Sequence, residues 1–168
     1  MPTVSAIDII ALKHNGIKAI IFDLDNTLST WNGTHIEPAT LTWLAVLHKS
    51  GLKYCILSNN SAERIAPVAE RLEMPFIARA YKPFKGGYRR ALRLLAVEPT
   101  AAVMVGDQLL TDIWGANRIG MHSILLKPIS REHEFSGTKA NRLLERCCWP
   151  AISKNMQEKL APGSEDKS

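Results

Sequence analysis

Residues 18–27 read Lys-Ala-Ile-Ile-Phe-Asp-Leu-Asp-Asn-Thr: a short apolar run ending on two carboxylates one residue apart, then an amide and a hydroxyl. With no polar alternation, the run predicts a strand covered on both faces, the kind parallel sheets contain. Working outward, the expected strands are 18–24, 52–57, 76–78, 102–105 and 123–126, separated by helical patterns over 38–49, 62–72, 84–96 and 109–118. Strands alternating with helices point to an α/β domain with a central parallel sheet of about five strands. Gly51 is placed to stop the first of these helices and Ser61 to cap the second, while Pro67 is expected to kink or shorten it. A single domain is expected over 1–150, with a last helix near 138–148 and a polar, flexible tail over 151–168 whose end, 161–168, is expected to fray.

The composition agrees. The chain has 168 residues, 46% hydrophobic and 22% charged, with a formal net charge of +5. That excludes collagenous, fibrous and disordered classes, and the length allows a full core without disulfides or structural metal. No apolar run approaches the roughly 20 residues of a membrane-spanning helix. The opening Met-Pro-Thr-Val-Ser-Ala-Ile-Asp lacks the features of an export signal, so a cytoplasmic placement is expected. Cys55, Cys147 and Cys148 fit a reducing compartment, and the adjacent pair cannot form a zinc knuckle. The histidines at 14, 35, 48, 122 and 133 show no metal-binding spacing.

In open parallel sheets ligands bind beyond the carboxyl ends of the strands. Asp23, Asp25, Ser58, Asn59, Lys82 and Asp107 all fall at or just after an expected strand end. Asp23 and Asp25 repel one another at this spacing. A divalent cation relieves that repulsion, and alternating carboxylates with backbone carbonyls supply the hard oxygens Mg²⁺ prefers. The plainer reading is a polar turn in which Asn26 and Thr27 bond locally. Ser58-Asn59-Asn60 presents a hydroxyl and amides at a helix N-terminus, which suits an anion or simply a cap. Pro83 restricts Lys82 to extended geometry and so fixes the direction in which the lysine leaves its loop, with Arg79 and Lys85 as competitors. Gly106 permits a tight turn before Asp107. Asp112, about a turn into the next helix, either returns toward Lys82 or a metal or simply suits the helix dipole.

Taken in order, DLDNT, the strand ending in Ser-Asn, Lys-Pro and GDQLLTD resemble the haloacid dehalogenase (HAD) superfamily of phosphohydrolases. The narrower similarity is to its YqeG-like class IIIA phosphatases, whose members include phosphatidylglycerophosphate phosphatases. It rests on GIKAIIFDLDNTL, SNN, RLEMPFIARAYKP, GDQLLTDIWGANRIG and the late NRLLER. The resemblance implies a three-layer, Rossmann-like HAD fold. It implies Asp23 as the nucleophile that forms an aspartyl-phosphate and Asp25 as general acid, then base. Mg²⁺ would be held by Asp23, the Asp25 carbonyl and Asp107. Thr27, Ser58, Asn59 and Lys82 would bind the phosphate, and Asp112 would support Lys82 or a metal-bound water.

The segments between Leu28 and Leu57 and between Asn60 and Tyr81 are too short for a cap domain. An uncapped site suggests a substrate whose own bulk covers it: a macromolecule, or a phospholipid headgroup at a membrane. The loop 29–37, with Trp31, Asn32 and His35, is the expected substrate contact, although Trp31 reads equally as a core or edge residue. The positive charge and the basic run over 82–93 favour an anionic surface such as the inner face of a membrane, although a charge run also reads as a solvated helix face. The competing readings are a soluble phosphatase for phosphosugars, nucleotides or phosphoproteins and, more distantly, a phospho-accepting receiver domain. A P-loop fails because Met121-His122 follows Gly120 where Lys-Ser/Thr is needed, and a nucleic-acid module would leave the four acids unexplained.

Overall fold

The computed structural model describes residues 3–30 and 33–129. Trp31, Asn32, the expected helix over 138–148, Cys147, Cys148 and the tail over 151–168 lie outside the described residues.

Five strands, β1 (Ala19–Phe22), β2 (Lys53–Leu57), β3 (Phe76–Ile77), β4 (Ala102–Gly106) and β5 (His122–Leu125), form one parallel sheet in the order β3-β2-β1-β4-β5. The order reverses direction at β1, so the cleft beyond the carboxyl ends of β1 and β4 is where such sheets hold ligands. Every residue of β1 and β4 is buried, as the unalternating apolar runs require.

Successive residues of β1 serve opposite layers. Ile20 and Phe22 pack with Trp43, Leu44 and Leu47 of α2 (Pro38–Lys49) and with Ile65, Val68 and Ala69 of α3 (Ala62–Arg71). Ala19 and Ile21 pack on the other face with Tyr88, Ala91, Leu92 and Leu95 of α4 (Lys85–Leu95), and with Ala116 of the short α5 (Gly115–Asn117). The result is the expected three layers, with Cys55 in the second core, where burial pushes its thiol up to about 12. A π-helical stretch, Leu109–Trp114, leads into α5. Only α2 separates β1 from β2, and only α3 separates β2 from β3, among the described residues.

One local expectation needs correction, and one helix was not foreseen. α3 runs through Pro67 to Arg71. Ile65, Val68 and Ala69 lie on its buried face, so packing holds the segment helical despite the missing N–H. The sequence reading also passed over α1 (Ile9–His14), where Asp8 caps the helix by accepting from the amides of Ile10 and Ala11. Gly51 does stand just past the end of α2, with φ +79, as a left-handed stop. Among the described residues no helix is long and apolar enough to cross a membrane.

Candidate active site

The loop after β1 is drawn tight by its own backbone. Leu24 O accepts from the amides of Thr27, Leu28 and Ser29, and Asn26 N donates to Ser29 O at 2.7 Å. The turn needs a left-handed residue, and Asn26 supplies it with φ 62, a conformation asparagine tolerates well. The Asp23 amide still bonds to Val105 O, so β1 carries Asp23 to the sheet edge and Asp25 follows in the turn, both buried.

Lys82 arrives from the β3–α4 connection across a cis peptide to Pro83. Its backbone is fixed by Asn59: the Asn59 Oδ1 accepts from Lys82 N at 2.6 Å, and Asn59 Nδ2 donates to Lys82 O at 3.1 Å. Its ammonium is buried and donates to Asp23 Oδ1 and to Asp112 Oδ1, each at 2.6 Å. Burial alone would lower the lysine's pKa. Asp112 and Asp23 outweigh that effect and hold it well above the ordinary value, so Lys82 is a permanent cation. Burial pushes the Asp112 carboxyl up to about 6, with Lys82 opposing and Asp23 adding. Asp112, for which the sequence left open Lys82, a metal or the helix dipole, lies against Lys82 and also within the cluster of Asp23 and Asp107.

Gly106 has a different reason from the expected tight turn. Asp112 folds back so closely that a Cβ on Gly106 would sit 2.2 Å from Asp112 Oδ2. That oxygen also accepts from Gln108 N at 3.1 Å. Gly106→Ala is therefore expected to displace Asp112 and to destabilise the fold by about 1–3 kcal/mol, as overpacking does. Thermal unfolding and phosphatase assays check this, and an unchanged melting temperature with full activity would contradict the close approach.

Asp25 has partners the sequence reading did not foresee. Arg64 Nη2 donates to its Oδ1 at 2.7 Å, and the Asn60 amide donates to its Oδ2. Arg64 also donates to Gly33 O at 3.0 Å, reaching the loop that returns to α2. A signal was available: Arg64 is a cation in the first turn of α3, where the helix dipole disfavours one.

Asp23, Asp107 and Asp112 are all buried and offer carboxylate oxygens within 4.8 Å of one another. Three hard carboxylates gathered this closely, two of them paired with the Lys82 ammonium, form a donor set suited to Mg²⁺, whose charge would offset the excess. Ser58 is buried at the end of β2 with its Oγ accepting from Asn60 N at 3.2 Å. Thr27 is buried and borders a cavity of about 140 Å³ with Thr3, Glu37, Thr40 and Lys127. His35 is exposed in the loop before α2. The expected basic face divides: Lys82 enters the site, whereas Arg89 and Arg93 line a groove with Lys18 and Ala101, at the amino ends of β1 and β4. Position on α4 explains the split, because that helix runs away from the site.

The model for haloacid dehalogenase-like hydrolases matches residues 20–88, and a HAD-hydrolase-like model matches residues 80–133. The probable phosphatase YqeG of Bacillus subtilis is 38% identical over 143 residues, covering 85% of this chain and 83% of that protein. The chain is a YqeG-like phosphatase of the haloacid dehalogenase superfamily. The chloroplastic phosphatidylglycerophosphate phosphatase 1 of Chlamydomonas reinhardtii is 30% identical over 153 residues, 86% of this chain but 57% of that protein. A HAD phosphatase structure from Thermococcus onnurineus superposes with a TM-score of 0.53 at 27% identity, over 59% of this chain and 50% of that one. The two family-model windows together take in Asp23, Asp25, Ser58, Lys82, Asp107 and Asp112.

Proposed function

We propose that this HAD phosphatase hydrolyses phosphomonoesters through an aspartyl-phosphate on Asp23, and that its substrate is the lipid phosphatidylglycerophosphate. The observation that carries the catalytic part is Lys82 Nζ, held at 2.6 Å from both Asp23 and Asp112 in a buried site. A fixed cation beside the nucleophile offsets the charge of an arriving phosphate, which is most of what phosphoryl transfer requires. The Asp23 carboxylate attacks phosphorus as the bond to the leaving oxygen breaks, and Asp25 gives that oxygen its proton. Asp25, now ionised, takes a proton from the water whose oxygen attacks phosphorus, releasing phosphate and restoring Asp23. Ser58 and Lys82 bind the phosphoryl oxygens whose bonds to phosphorus neither form nor break, and Asn59 acts by fixing Lys82. Asp23, Asp107 and the Asp25 carbonyl would hold Mg²⁺, which supplies further charge neutralisation when bound.

Three features support a lipid substrate. The first is the likeness to the chloroplastic enzyme. The second is the lack of a cap between β1 and β3 among the described residues. The third is the rim: the large exposed aromatics among those residues are Tyr81 (66%), Phe84 (71%) and Trp114 (44%). All three lie on the two segments that deliver Lys82 and Asp112. Tyr and Trp, apolar with a polar tip, suit a bilayer interface, and Arg118 stacks over Trp114 at 4.4 Å.

The test is phosphate release from phosphatidylglycerophosphate in mixed micelles with Mg²⁺, beside p-nitrophenyl phosphate and soluble phosphosugars. The lipid is expected to be preferred, with activity lost in EDTA and restored by Mg²⁺. Activity confined to soluble esters would discard the lipid, and full activity in chelator would contradict the metal.

A further inference from the structure

We propose that Arg64 is a positioning residue that holds the Asp25 carboxylate in its working orientation and ties that orientation to the loop before α2. The proposal rests on the acid–base reading of Asp25 given above. The geometry divides the carboxylate. Arg64 Nη2, a donor with no accepting capacity, lies 2.7 Å from Oδ1 and holds that oxygen in place. Oδ2 faces the Asn60 side-chain amide. The two contacts hold both oxygens, and with them the direction in which the Asp25 carboxylate faces.

Arg64 is held for this task from a second side. The same Nη2 donates to Gly33 O at 3.0 Å, and the Arg64 side chain is only 19% exposed. Gly33 lies in the connection from the nucleophile turn to α2, the stretch expected to meet substrate. One guanidinium nitrogen thus bridges the acid–base carboxylate and this loop, so a shift of the loop at Gly33 changes how firmly Oδ1 is held. Its station in α3 sets the reach: Ile65 beside it is fully buried in the core, which fixes the helix while the arginine turns toward the site. Lysine, with a single nitrogen on a flexible stem, preserves the charge at Oδ1 but forms neither contact with the arginine's rigidity.

The experiment compares phenyl phosphate with p-nitrophenyl phosphate. The former has the poorer leaving group and depends more on a well-placed acid. General acid catalysis contributes about 10²–10⁴-fold, so Arg64→Met is expected to lower kcat/KM for phenyl phosphate about tenfold more than for p-nitrophenyl phosphate. Arg64→Lys, which keeps the charge but not the fixed geometry, is expected to recover only part of that ratio. A purely structural role would lower both esters alike, and equal losses or no loss would overturn the proposal. Circular dichroism checks folding; should Arg64→Met fail to fold, Arg64→Gln is judged by the same ratio. Asp25→Asn in parallel separates the two readings. If it hydrolyses both esters as the wild type does, the acid–base reading of Asp25 fails. If it is impaired while the Arg64 variants keep the wild-type ratio, the Arg64 proposal alone fails.

Discussion

Asp23→Asn is expected to lower phosphate release by roughly 10⁴-fold or more, because an amide cannot replace the carboxylate as nucleophile and the residues of such a site act as a unit. The same variant is expected to keep its fold, and in chelator to unfold at an equal or higher temperature. Asp23, Asp107 and Asp112 place carboxylate oxygens within 4.8 Å of one another, and removing one of three like charges relieves repulsion while Lys82 keeps Asp112 as its partner. Phosphate-release assays and thermal melts in EDTA check the two halves. Retained activity would mean that another group attacks phosphorus. A lower melting temperature would mean that the Asp23–Lys82 pair outweighs the repulsion.

Lys82→Met should have the largest effect on stability. The ammonium is the counter-charge to Asp23 and Asp112, and all three groups are buried. Removing one partner of a buried ion pair leaves uncompensated charge in a low-dielectric site, at a cost of about 3–5 kcal/mol. Denaturant unfolding measures it. Catalysis falls as well, because the phosphate loses its fixed cation. Mg²⁺ is expected to restore part of the lost stability, since Asp23 is a proposed ligand and Asp112 lies in the same carboxylate cluster. A variant as stable as the wild type in the absence of metal would show that Asp112 and Asp23 are neutralised some other way.

The sheet was legible because β1 and β4 are apolar without alternation, which leaves a two-sided strand as the simplest solution. The order of the site was legible for a related reason: a parallel sheet brings the residues after each strand to one edge, so Asp23, Ser58, Lys82 and Asp107 could be assigned a common neighbourhood from strand ends alone. What escaped depended on how elements dock. Arg64 reaches Asp25 only because α3 settles Ile65 into the core, and no local pattern states that distance. Asn59 reads as an anion ligand, yet its amide is turned to the backbone of Lys82, a contact across 23 positions of sequence. Gly106 reads as a turn residue, whereas the structure requires it for the approach of Asp112. The basic run on α4 could not be oriented until the helix was placed.

The central claim is the covalent role of Asp23. It is tested most directly by acid-quenching the enzyme during turnover of a radiolabelled phosphate ester and mapping the labelled peptide. The expected result is a hydroxylamine-labile label on the peptide carrying Asp23, absent from Asp23→Asn. Turnover with no protein-bound label at any quench time, or a label that persists in Asp23→Asn, would contradict the account.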